Sequence, residues 1–218
     1  ADLMQDVPRN EAVYEGHRTL KTNTQQTREI PEWEFYRDPV GLITNYYDYM
    51  PGSYNSTPVR IQPDAVGGGI YITFHARETA ASTRRVYYAY IDADGNVTNI
   101  ATISTDDLHE GYSGTSVDPE TGDPISSWHV NIDTGSADLE LVVTYDLYHL
   151  GSPGLWKTPF VIVDDTNPVT PNSPADEFIW PYVFIGPSPE AGKRRVYVQA
   201  NNSDDTPTGS PSENQLVG

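Results

Sequence analysis

Val59-Arg60-Ile61-Gln62-Pro63, a glycine-rich turn, then Ile70-Tyr71-Ile72-Thr73-Phe74-His75-Ala76-Arg77: this stretch decides the fold, because the chain writes it three times. The second copy is Ser116-Val117-Asp118-Pro119 with Pro124-Ile125-Ser126-Ser127-Trp128-His129-Val130-Asn131. The third is Val183-Phe184-Ile185-Gly186-Pro187 with Arg195-Val196-Tyr197-Val198-Gln199-Ala200-Asn201. Each copy is a short apolar run, a proline, an acidic or glycine-rich turn, and a second apolar run ending in a polar residue. Counted from the prolines, His75, His129 and Gln199 fall 12, 10 and 12 residues downstream. A rival register matches Arg84-Arg85-Val86-Tyr87 with Arg194-Arg195-Val196-Tyr197. It has two members against three, so the proline register is preferred.

Short alternating strands repeated at this spacing predict an all-β, propeller-like fold, a blade being about 40–50 residues. About three blades are visible, near 56–110, 111–168 and 178–218. Asp92-Ala93-Asp94-Gly95-Asn96 between alternating runs predicts a hairpin in the first. Strands are expected near 113–118, 124–131, 138–146 and 155–163 in the second. Residues 164–174 read as an exposed, proline-rich connector. Residues 1–30 are polar and read as an extended arm before a partial propeller over 31–218. Trp33, Phe35 and Ile43 are expected to supply one buried face in the segment after that arm. The third repeat stops inside the polar stretch 201–218. Three blades do not close a ring of four to eight, so the reading is part of a longer propeller chain. The exposed edge of the third blade is expected to be completed by residues 31–50, by polypeptide past Gly218, or by another copy of the chain.

The chain has 218 residues, enough for one sizeable all-β core. Its 17 glycines and 18 prolines suit many tight turns. Its net charge of −18 repels phosphate backbones and argues against a nucleic-acid partner. No run approaches the roughly 18 apolar residues of a spanning helix, so no transmembrane segment is expected. The absence of cysteine removes disulfides and thiolate metal sites from consideration without excluding export. The acidic composition points to a secreted or extracellular-surface protein, and the start at Ala1 fits a mature product cut after a small residue.

Arg60-Ile61-Gln62-Pro63, followed by Gly69-Ile70-Tyr71-Ile72-Thr73-Phe74-His75-Ala76-Arg77, resembles the opening of the sialidase-type propeller family, with Gln62 inserted. That family begins with an arginine-isoleucine-proline motif and places a second arginine after the next strand. Its repeated Asp box has a degenerate counterpart in Asp92-Ala93-Asp94-Gly95-Asn96-Val97-Thr98, and a fragment in Gly154-Leu155-Trp156-Lys157-Thr158-Pro159. The likeness runs over roughly 58–165 and extends to secreted bacterial propeller proteins carrying a C-terminal sorting domain. It implies Arg60 as the first member of a carboxylate-gripping arginine cluster and Arg77 as the arginine of the strand. The loop that would hold the acid/base aspartate reads Glu78-Thr79-Ala80-Ala81-Ser82-Thr83 and has none. The family's tyrosine nucleophile and remaining arginines are expected past Gly218.

Other residues carry chemistry singly. Trp128, Trp156 and Trp180 are candidates to stack on sugar rings, although a tryptophan once per blade more often packs between blades. Asp92, Asp94 and Asn96 have the oxygen spacing of a calcium loop, but the closing bidentate glutamate would fall at Ile103, so a hairpin turn is the reading and no cofactor is expected. His75 and His129 occupy equivalent repeat positions without carboxylate companions, which favours strand-to-strand hydrogen bonding over a metal. The reading is therefore a non-catalytic binding or assembly scaffold at the cell surface. Its partner is a glycan, a protein or another copy of itself. The alternative is a glycan-cleaving hydrolase of the sialidase type.

Overall fold

The computed structural model describes Glu32, Glu34, Phe35 and residues 37–46, 57–104, 109–131, 140–163, 176–204 and 213–217. The chain divides into two units, Ala1–Val40 and Gly41–Gly218. The described residues of the first are exposed, Phe35 among them, and Trp33 lies outside the described residues. The second holds every described strand.

Three antiparallel sheets follow one another along the chain. The first is β1 (Val59–Ile61), β2 (Ile70–Ala76), β3 (Arg85–Ile91) and β4 (Val97–Thr102), in that spatial order. The second is β5 (His109–Val117), β6 (Pro124–Asn131), β7 (Glu140–Tyr145) and β8 (Phe160–Val163). The third is β9 (Asp176–Pro187), β10 (Arg194–Asp204) and β11 (Glu213–Val217), with β10 in the middle. A 3₁₀ turn at Asp64–Val66 is the one helical element among the described residues. Each sheet is a meander of neighbours in sequence, which makes the fold all-β and propeller-like, with three blades among the described residues.

The proline register is the structural one. Pro63 and Pro119 stand between the first and second strands of their sheets, and Pro187 ends the first strand of the third. His75, His129 and Gln199 are each the sixth residue of the second strand. The arginine register fails, because Arg85 opens a third strand and Arg194 a second.

Packing between sheets is equally regular. One cluster joins Tyr71, Val86, Tyr88 and Tyr90 of the first sheet to Trp128, Val130 and Val142 of the second. Another joins Ile125, Leu141 and Val143 of the second to Val183, Val198 and Ala200 of the third. The middle strands are therefore covered on both faces. Ser126, Ser127 and Thr144 are buried on them and Thr115 on neighbouring β5, and two of these hydroxyls bond neighbouring main chain: Thr115 donates to the Ile125 carbonyl at 2.9 Å and Ser126 to that of Gly114 at 3.0 Å. Small polar residues of this kind let sheets approach while these two donors stay satisfied.

The third repeat adds one strand inside its polar stretch, β11, which pairs with β10 from Val198↔Val217 to Asn202↔Glu213, and among the described residues it has three strands where the others have four. A polar sequence still forms an edge strand, because only one face needs burial. Asn45 and Tyr46, from the segment expected at the third blade, bond the first sheet: the Tyr46 N–H donates to the Arg77 carbonyl at 3.2 Å, and Asn45 binds both the His75 carbonyl (3.3 Å) and the Arg77 N–H (3.0 Å). Leu42, not the exposed Ile43, packs on the rear of that sheet beside Phe74, Ala76, Tyr87 and Ala89.

Candidate functional site

In a meander the connections alternate between two ends. Turns after first and third strands lie at one end, and connections after second strands lie at the other. At this second end six side chains from three sheets come together.

The centre is Tyr112 of β5. It sits in a β-bulge, where the pairing of β5 with β6 shifts between Gly111 and Gly114. Its φ of 55° is left-handed, a costly conformation for a residue with a Cβ. That geometry turns the Tyr112 N–H outward to His75 Nδ1 on the preceding sheet, 3.0 Å away. Trp180 of β9 repeats the device: its φ is 54°, it lies where β9 shifts register against β10, and its N–H donates to His129 Nδ1 at 3.4 Å. Each histidine thus fastens its own sheet to the first strand of the next. The rings form a chain, His75 to Tyr112 at 4.9 Å, Tyr112 to His129 at 5.1 Å and Tyr112 to Trp180 at 6.4 Å between centroids.

Arg84, buried just before β3, lies over Tyr112 with its guanidinium carbon 5.2 Å from the ring centre. Its Nε donates to the Glu110 carbonyl. Gly111 leaves the room for it, since a Cβ there would stand 2.7 Å from that nitrogen. Glu110 is itself buried and accepts the Trp128 indole N–H at 3.3 Å. Glu110 thus meets Arg84 through its main-chain carbonyl and Trp128 through its carboxylate.

The sequence-derived candidates fall as follows. Trp128 is fully buried in the core and has no face to offer a sugar ring. Trp156 is half-buried in the β7–β8 connection at the other end, its ring 5.2 Å from that of Tyr88. Trp180 is half-buried beside Tyr112. Arg60 on β1 donates its Nε to the Thr115 carbonyl of the next sheet at 2.9 Å. It pairs with Tyr71, six residues before Arg77 along β2. At 3.3 Å per residue the two arginine backbones are about 20 Å apart. They are not placed for a joint grip on one carboxylate. Inserted Gln62 is buried, donating to the Gly122 carbonyl and accepting the Tyr90 hydroxyl at 3.1 Å. It ties the first two sheets together.

The Asp92–Asn96 turn is a hairpin with Gly95 at φ 81°. Asp92 receives the Asn96 N–H at 2.8 Å and its side-chain amide at 3.1 Å, bonds that hold its carboxyl below the usual range. Both carboxylate oxygens are engaged within the turn. No group of three or more histidine or acidic side chains suited to a metal ion occurs among the described residues. The loop after β2 bonds within itself through Thr79 and Ser82, and Glu78 accepts the Tyr87 hydroxyl at 3.1 Å.

Tyr112, Arg84 and Glu110 escaped the sequence reading. The available signal was Gly111-Tyr112-Ser113-Gly114, an aromatic bracketed by glycines inside a strand, which marks a bulge.

No protein-family model matches the chain, and none of the curated proteins does. Among solved structures the chain is similar to Hadza microbial sialidase Hz136, at 11% identity and a TM-score of 0.38. The match takes in 82% of this chain and 48% of that one, so the chain spans about half the length of the structure it matches. No helix among the described residues is long and apolar enough to cross a membrane.

Proposed function

We propose that this chain is a non-catalytic, propeller-like binding or assembly module of a secreted or surface protein. One observation carries the reading: the groups suited to catalysis are engaged in holding sheets together. His75 and His129 accept main-chain N–H groups of the following sheet. Arg60 and Arg84 donate to main-chain carbonyls across sheets. A general base or a carboxylate clamp must instead meet the substrate.

The half-buried rings of Tyr112 and Trp180 are the surface on which a sugar would stack. A net charge of −18 steers anionic glycans away and leaves neutral ones favoured. Arrayed neutral and sialylated glycans, probed with the chain and with Trp180→Ala, test the binding arm. Fluorogenic sialosides and neutral glycosides test the catalytic arm. Turnover that disappears in Arg60→Ala would establish the sialidase-type reading and refute ours.

A further inference from the structure

The two junctions between sheets follow one plan but are filled differently. In the first sheet Tyr71 of β2 pairs with Tyr90 of β3, and in the second Ile125 of β6 pairs with Tyr145 of β7 at the same place in the meander. At the first junction the His149 ring packs against both Tyr71 and Tyr90, and all three side chains are buried. At the second junction Tyr145 is half-buried and meets the Phe160 ring of its own sheet at 6.5 Å.

Between Ile125 and Tyr145 on one side and Ile185 and Val196 on the other lies a cleft of about 750 Å³. Small-molecule sites are largely apolar clefts of about 300–1,000 Å³ with a few polar groups at fixed places, and this one has that make-up. It opens at the turn end of the sheets, away from Tyr112 and Trp180, so it stands apart from the glycan-binding surface.

Charge selects the occupant. Lys193 and Arg194 line the cleft, but both cations are taken: Arg194 by Asp118 at 3.4 Å and by Glu120, and Lys193 by Glu190. Asp123 also lines it, half-buried, and among the described residues its carboxylate has no hydrogen bond or ion pair. A carboxylate partly withdrawn from water beside apolar walls is stabilised by a cation. The chain's net charge of −18 draws the same class of ligand from a distance. The first junction supplies the shape, a nitrogen-bearing ring laid on a tyrosine. We propose that the cleft binds a small aromatic amine, its ring against Tyr145 and its ammonium at Asp123.

Titration calorimetry of the full chain with tryptamine tests this, beside indole-3-ethanol and indole-3-acetate, which keep the ring and replace the ammonium by a hydroxyl or a carboxylate. We expect tryptamine to bind at least about tenfold more tightly than either. Asp123→Asn should abolish that preference, and Tyr145→Ala should weaken tryptamine binding at least about threefold. Circular dichroism and the melting temperature check that both variants fold, and Asp123→Asn removes no side-chain bond among the described residues. Equal binding of the three probes overturns the proposal, as does an advantage of tryptamine that survives Asp123→Asn. No binding up to about 10 mM overturns it as well, and that is the result expected if polypeptide of the protein itself fills the cleft.

Discussion

The two fastening histidines give the sharpest expectations at the scale of single residues. Removing an acceptor from a buried N–H costs about 1–3 kcal/mol. We expect His75→Ala and His129→Ala each to lower unfolding free energy by that order in denaturant titrations. Both rings contact Tyr112, so the double variant should lose a different amount from the sum of the singles. Strict additivity would show that the chain of rings is not a unit. A third histidine behaves differently. His149 is buried edge-on to Tyr71 and Tyr90, at 4.8 and 4.5 Å. Burial holds its imidazole below the usual 6.5, against the opposing pull of Asp146 and Asp123. The unfolded chain takes up a proton as pH falls through about 6.5 and the native one does not, so stability is full above that pH and is lost below it. The denaturation midpoint should therefore fall between about pH 7.5 and pH 5, and fall less in His149→Phe. An equal fall in both proteins would clear His149 of the effect. The equivalence of His75 and His129 was legible in the sequence, because it is a matter of spacing. The burial of His149 was not, since it depends on a loop folding back onto another sheet.

Elements differ in how tightly their turns are held. Gly154 and Gly192 both sit at positive φ, 98° and 75°. Around Gly192 nothing lies within 4 Å of an added Cβ, whereas at Gly154 that atom would meet the Tyr88 hydroxyl at 2.3 Å. We expect Gly192→Ala to cost about 1 kcal/mol, the conformational penalty alone, and Gly154→Ala distinctly more, by thermal or denaturant unfolding. Gly154 also donates its N–H to buried Asp146 at 2.8 Å, and Asp146 receives the Tyr148 N–H at 3.0 Å, so this connection is pinned at both ends. The Asp92 turn satisfies itself through Asn96. Calcium at millimolar concentration should leave the melting temperature unchanged, and a clear rise would mean that the carboxylate exchanges its partners for the ion. The hairpin was legible because Asp-Gly between alternating runs has one common solution. The bulge at Tyr112 was not, because a left-handed tyrosine is favoured only by the arginine, histidine and glycine that surround it in space.

For the whole molecule, charge opposes compactness. With 31 acidic against 13 basic residues, self-repulsion should weaken the native state at low ionic strength. Raising salt from about 10 mM to 150 mM shortens the Debye length from about 30 to 8 Å. The denaturation midpoint should rise over that interval, and a fall would mean that favourable ion pairs such as Arg194 with Asp118, at 3.4 Å, outweigh the repulsion. The architecture was legible because each sheet is written consecutively and opens on the same proline signal. The site was legible only in part. Arg60 and Arg77 stand in the expected order along the chain, but order does not say that a strand's length separates them.

The histidine-to-N–H fastening also sets a clock. His75 waits for Tyr112, 37 residues later, and His129 for Trp180, 51 residues later. At a synthesis rate of about 5–20 residues per second, those partners emerge roughly 2–7 and 3–10 seconds behind. The first two blades are thus born with an acceptor that the successor satisfies, and assembly acquires a direction, from the amino end toward the carboxyl end, one bond at each of these two junctions.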